Sequence, residues 1–154
     1  MAKRLNVGAG QNFPTPSNEW INIDKFPVGA DVIKWDVDET PITAAWYDLD
    51  EIRCWGNLGE FKHTVVEMMN MFWDALQNGG TLDVIVAVVD KGLGCFRDPS
   101  ARRYLHSEWV EYFIRGGRWE TGGHGLGFIG EFEVVSNELL GERHHVILRA
   151  VKHG

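Results

Sequence analysis

The chain has 154 residues, 44% of them hydrophobic and 24% charged, which suits one domain with one core over residues 1–154. A formal charge of −7 argues against a broad electrostatic grip on nucleic-acid phosphates, since only Arg97, Arg102 and Arg103 form a basic cluster. No apolar run is long enough to span a bilayer, and the N-terminal MAKRLNVGAG lacks a signal peptide's apolar core, so a soluble cytoplasmic protein without a membrane partner is expected.

In chain order, Arg4 to Val7 reads as a short buried strand, broken by the turn Gly8-Ala9-Gly10. Residues 11–18, QNFPTPSN, carry two prolines and polar turn formers, which predicts a loop. Trp20 to Ile23 reads as a second strand ending at Asp24, and DVIKW as a third ending at Asp36. Asp50 to Trp55 is the expected fourth. Leu58, Phe61, Val65, Met68, Met69, Phe72 and Leu76 then recur at three- and four-residue steps, with Glu60, His63, Glu67, Asn70 and Asp74 opposite. That period predicts an amphipathic helix. Asn78-Gly79-Gly80 is its expected stop, because both residue types tolerate a left-handed cap.

TLDVIVAVV, β-branched and nearly all apolar, predicts a strand covered on both faces. His106 to Ile114 predicts a short helix. Residues 116–130 hold seven glycines and predict a loop or hairpin. FEVVSNEL and HHVILRAVK predict a final antiparallel pair. Crossovers early and a strand pair late imply an α/β sheet that is mostly parallel.

In such sheets ligands bind beyond the carboxyl ends of the strands, where crossovers diverge. Gly8 and Gly10 let the backbone turn sharply and approach a ligand closely. Asp24 would aim a carboxylate into the same crevice, suited to the two hydroxyls of a ribose. Asp36 could reach the exocyclic amine of an adenine. A dinucleotide site needs a third glycine that opens a helix onto pyrophosphate. Phe13 stands in that place, followed by Pro14-Thr15-Pro16. An adenosine ligand without phosphate, such as S-adenosylmethionine, therefore fits better than a nicotinamide nucleotide.

Other residues carry less. Cys54 and Cys95 match no metal spacing and read as buried, reduced thiols. His144 and His145 are adjacent, so a strand points them to opposite faces and no metal site is expected. Asp98-Pro99 either starts a turn or, with Arg102, Arg103, Tyr104 and His106, forms an acceptor pocket. Segment 116–130 is either a lid carrying Trp119 and His124 or a surface connection. Seven tryptophans leave core, pocket and subunit contact open, so a homo-oligomer is allowed for.

LNVGAG, WINID, KWDVDETP, DEIRCW before a helix, FWDALQNGGTLDVIV and FRDPSARRYLHSEWVEYF together resemble class I S-adenosylmethionine-dependent methyltransferases, in particular the small ones of bacterial and phage genomes. The resemblance runs over nearly the whole chain. It implies a Rossmann-like, mostly parallel sheet with an antiparallel C-terminal strand, and methyl transfer to an N, O or C acceptor. It also implies roles for particular residues. Gly8, Ala9 and Gly10 would pass beneath the methionine part of the cofactor, Asp24 would hold the ribose, and Asp36 with Val37 would flank the adenine. Trp55 and Gly56 would face the methyl-donor end. Glu60, His63, Asp98 and His106 are the candidates for catalysis. Where many relatives read Leu-Glu-His, this chain reads Leu58-Gly59-Glu60, and Ala101 stands where relatives often have a histidine. Both departures keep open a non-catalytic sensor or partner subunit that binds S-adenosylmethionine.

Overall fold

The computed structural model describes residues 3–10 and 19–153. The strands are β1 (Arg4–Val7), β2 (Ile21–Asp24), β3 (Val32–Lys34), β4 (Leu49–Trp55), β5 (Leu76–Ala87), β6 (Phe132–Leu140) and β7 (Arg143–Ala150). Helices are α1 (Val65–Ala75) and the short α2 (Glu120–Gly125). One seven-stranded sheet has the order β3-β2-β1-β4-β5-β7-β6. Its first five strands run parallel, and β7 is antiparallel to both β5 and β6. The expected α/β sheet with an antiparallel C-terminal pair is therefore observed. The proposed loop at 11–18, with Phe13, lies outside the described residues.

Strand alternation sorts the side chains. Leu5, Ile52, Leu82 and Leu148 lie in register across four strands, as do Val7, Cys54, Val84 and Val146. All are buried and share one apolar cluster with Met68, Met69, Phe72 and Ala75 of α1. Each such large side chain contributes roughly 1.5–3 kcal/mol through burial. The opposite face carries Asn6, Arg53 and Asp83 in register. So β5 is not apolar on both faces, as its composition suggested: one side is core and the other holds a carboxylate.

The helix is shorter than its apolar period. Thr64 caps α1: its hydroxyl accepts from Glu67 N (3.1 Å), while the Glu67 carboxylate accepts from Thr64 N (3.1 Å). Leu58 and Phe61 keep the apolar spacing but lie in turns, because Asp38 Oδ1 takes Lys62 N and Gly59 O takes Arg102 N and Arg103 N. Thr64-x-x-Glu67 is the sequence signature of this start. Thr64→Ala should destabilise the protein by about 1 kcal/mol in chemical denaturation, as loss of a cap does.

Asn78-Gly79-Gly80 is not the helix stop. The chain leaves α1 at Leu76 in an extended conformation and enters β5 directly. The glycines form a bulge: Leu49 pairs with Leu76, but Glu51 pairs with Thr81. A Cβ on Gly80 would sit 2.7 Å from Leu49 O, so close strand approach selects glycine here. The short helix expected at 106–114 is only a 3-10 turn, Trp109–Tyr112. Segment 116–130 instead contains α2, despite its glycines. Tertiary contact overrides propensity there, since a Cβ on Gly123 would fall 1.9 Å from Tyr112 O.

Candidate functional site

The strand order reverses between β1 and β4, where crossovers diverge and a crevice opens. A cleft of about 270 Å³ lies there, lined by Gly8, Gly10, Asp24, Asp36, Val37, Trp55 and Glu60 among others. A second cleft of about 410 Å³ adjoins it across Gly8, Gly10, Trp55 and Gly56, and also meets Ala9 and Arg143. A third of about 100 Å³ holds Glu60, Asp98, Ala101, Arg103 and Tyr104. Gly56 borders all three.

Gly8 and Gly10 have φ of +66° and +56°, a region that favours glycine. The carboxylate of Asp24 ties the turn to β2: Oδ2 accepts from Gly10 N at 2.9 Å and Oδ1 from Phe26 N at 2.8 Å. Two amide donors leave an ionised carboxylate with acceptor capacity for further hydroxyls. Asp36 lies just past β3, where its Oδ1 accepts from Asp38 N at 2.9 Å. Val37 is buried beside it, and Trp35 and Phe61 add apolar wall. At Gly10 and Gly56, among the described residues and apart from the chain neighbours, no atom lies within 4 Å of where a Cβ would be. A side chain at either place would project into open space along the cleft.

Asn57 escaped the sequence reading. It is buried, and its Nδ2 donates to Val7 O (2.9 Å) and Gly8 O (3.2 Å) while Cys54 Sγ donates to its Oδ1 (2.8 Å). This amide staples the turn after β1 to the end of β4. A Cβ on Gly8 would sit 1.4 Å from Asn57 Nδ2. The available signal was a polar residue directly after Trp55-Gly56, where a predicted strand met the crevice. Cys54 and Cys95 are free and buried. Burial, reinforced by Glu60, pushes the Cys54 thiol far up, which leaves it unreactive.

Two catalytic candidates from distant segments meet. Glu60 and Asp98 share a hydrogen bond between carboxyl groups, and Ser100 N (2.8 Å) and Oγ (2.6 Å) donate to Asp98 Oδ1. Burial first, then Asp98, pushes the Glu60 carboxyl up to about 7. The Glu60 hydrogen bond, then Ser100, holds Asp98 below its ordinary value. Like charges this close favour a single shared proton. Arg103 borders the same cleft, but its guanidinium is turned to the carbonyls of Phe61 (2.9 Å) and Lys62 (3.4 Å).

The other two candidates lie elsewhere. His63 Nδ1 faces Glu67 Oε2 at 3.2 Å, one turn along α1, and lines none of the three clefts. His106 faces Asp90 (3.4 Å), accepts from Glu108 N (3.1 Å) and borders a separate groove with Trp109, Tyr112 and Trp119. His144 and His145 do point to opposite faces: one meets Trp109 and Asn137, the other Asp83.

No family model and no curated protein matches the chain. Solved structures do. A chain of the complex between the Trm112 methyltransferase activator and a methyltransferase of Haloferax volcanii is 12% identical, with a TM-score of 0.64 over 99% of this chain and 83% of that one. An S-adenosylmethionine-dependent methyltransferase from Archaeoglobus fulgidus is 13% identical, with a TM-score of 0.62 over 96% and 86%. The plantazolicin methyltransferase BpumL, bound to a triazolic desmethylplantazolicin analogue and S-adenosylhomocysteine, is 12% identical, with a TM-score of 0.60 over 98% and 77%. At these identities the likeness speaks for architecture, and it agrees with the observed strand order and crevice. This chain has the Rossmann-like fold of the class I S-adenosylmethionine-dependent methyltransferases.

Proposed function

We propose that the chain binds S-adenosylmethionine and transfers its methyl group to an N, O or C acceptor. The observation that carries this reading is the positive-φ glycine turn after β1, tied through Gly10 N–H to the Asp24 carboxylate at the end of β2. The turn and the carboxylate border one open cleft at the point where the strand order reverses. Asp24 would accept the ribose hydroxyls, Asp36 and Val37 would flank the adenine, and Gly8, Ala9 and Gly10 would pass under the amino-acid tail. Trp55 and Gly56 would border the donor end.

When bound, S-adenosylmethionine supplies an electrophilic methyl on a positively charged sulfur, which an acceptor lone pair displaces in line. The protein's part is alignment and exclusion of water. Glu60 borders both the first and the third cleft, so an acceptor entering beside Asp98 would meet it next to the donor end. Ionised above about pH 7, Glu60 would take the acceptor's proton. Asp98, held in its ionised form, would share with Glu60 the proton taken from the acceptor. Neither His63 nor His106 has a part in this scheme, since both lie away from these clefts.

A second reading is a non-catalytic binder or partner subunit. It is favoured by Ala101 beside Asp98 and by the two histidines lying elsewhere. Thermal unfolding tests the ligand. S-adenosylhomocysteine at a hundred times its Kd should stabilise the folded state by about 2.7 kcal/mol, with a raised Tm, and NAD should do much less. A response to NAD alone would remove both readings. Binding without methyl transfer across a broad acceptor screen would favour the second.

A further inference from the structure

Asp83 is an uncommon occupant of a central strand. Leu82 and Val84 beside it are fully buried, and Asp83 itself is only 8% exposed. A carboxylate there loses solvation that an apolar side chain would not, so fold stability alone does not call for it. Two ring donors from different strands converge on one of its oxygens. Trp55 Nε1 donates to Asp83 Oδ1 at 2.9 Å, and His145 Nε2 reaches the same atom at 2.7 Å. His145 is the Cα partner of Ile85, which puts it on the same face of the sheet as Asp83.

The indole is held on further sides. The His145 ring meets it edge-on, with centroids 6.2 Å apart and planes at 83°. The Arg53 guanidinium lies 3.9 Å over the indole and 4.4 Å from the ring of Trp20. Trp55 is nonetheless 41% exposed, because it forms the wall shared by the first and second clefts. Asp83 and His145 line neither cleft. Whatever they contribute to the site passes through Trp55.

We propose that Asp83 and His145 are positioning residues that lock the indole of Trp55 as the boundary of the donor end of the cofactor cleft. This rests on the methyltransferase reading above. An indole released from Asp83 can rotate about its side-chain torsions into either cleft, which blurs the wall against which the cofactor is aligned.

The test combines the indole N–H resonance of Trp55, assigned by its loss in Trp55→Phe, with calorimetric titration of S-adenosylhomocysteine. His145→Phe keeps the ring and removes the donor. It should shift that resonance and weaken binding about fivefold, the scale of one ordinary hydrogen bond. His145→Gln, which can place an amide N–H near the same oxygen, should restore both. Asp83→Asn keeps the shape and one acceptor but loses the charge, and should move the resonance and the affinity in the same directions. Unchanged resonance and affinity in the folded variants would overturn the proposal, as would weakened binding with the resonance unmoved. If the parent chain binds no S-adenosylhomocysteine, the functional reading fails separately. The resonance in His145→Phe still tells whether the lock on Trp55 exists.

Discussion

Glu60→Gln should lower turnover by about 10²–10⁴-fold, the usual contribution of a positioned general base, while S-adenosylhomocysteine affinity stays within about twofold. The expectation follows from where Glu60 sits and in what company. It borders the cleft of Asp24 and the cleft of Asp98 at once, and burial together with Asp98 pushes its carboxyl up to about 7. A base must be ionised to act, so turnover of the parent should rise with pH through about 7 and then level. The variant should lack that limb. Loss of turnover with unchanged cofactor affinity marks an interaction made with the acceptor or the transition state.

The same shift predicts the sign of a stability effect. Folding raises the Glu60 pKa, so between its ordinary value and about 7 the folded state holds more protons than the unfolded one. Stability from this group is therefore full at low pH and falls as pH rises toward 7. Glutamine removes that liability, and the variant should be at least as stable as the parent at pH 8 in thermal unfolding. A variant with full turnover would exclude Glu60 as the base. One that loses cofactor affinity in parallel would assign it to binding.

Asp24→Ala should weaken S-adenosylhomocysteine binding by about 1.5–3 kcal/mol, the scale of hydrogen bonds to a charged group, or roughly ten- to 150-fold in Kd. The carboxylate has two tasks: it would accept the ribose hydroxyls, and it pins the glycine turn through Gly10 N. Alanine removes both. The Gly10 and Phe26 amides that lose their acceptor are not buried, so water replaces it and the loss of stability should stay near 1 kcal/mol. Asp24→Asn keeps an oxygen for one amide and loses the charge, and should fall between parent and alanine variant. Calorimetry reads all three. An unchanged Kd in Asp24→Ala would move the ribose to another part of the crevice.

Much of this architecture was legible in the residues because it rests on local period and punctuation. The apolar runs ending at Val7, Asp24 and Trp55 mark strands, and Gly8 with Gly10 marks a turn that needs positive φ. Asp24, placed at a strand end, was readable as a carboxylate facing that turn, and the two share a hydrogen bond. The helix boundaries misled because amphipathic spacing continues through Leu58, buried, and Phe61, half-buried, both outside the helix. Their period reports which side is apolar and says nothing of which backbone donors Asp38 and Gly59 O satisfy.

What the sequence by itself determined was a mostly parallel α/β sheet and the glycine–aspartate crevice at its carboxyl edge, since side-chain period and turn chemistry act over a few residues. Only the tertiary structure decided which distant groups meet there. Asn57 stapling Val7 and Gly8, Asp98 brought to Glu60, and His145 aimed at Asp83 join segments separated by 38 to 62 positions. Sheet register and crossover path set those encounters, and no local pattern encodes them. His63 and His106 lie away from the first three clefts and face other carboxylates, Glu67 at 3.2 Å and Asp90 at 3.4 Å.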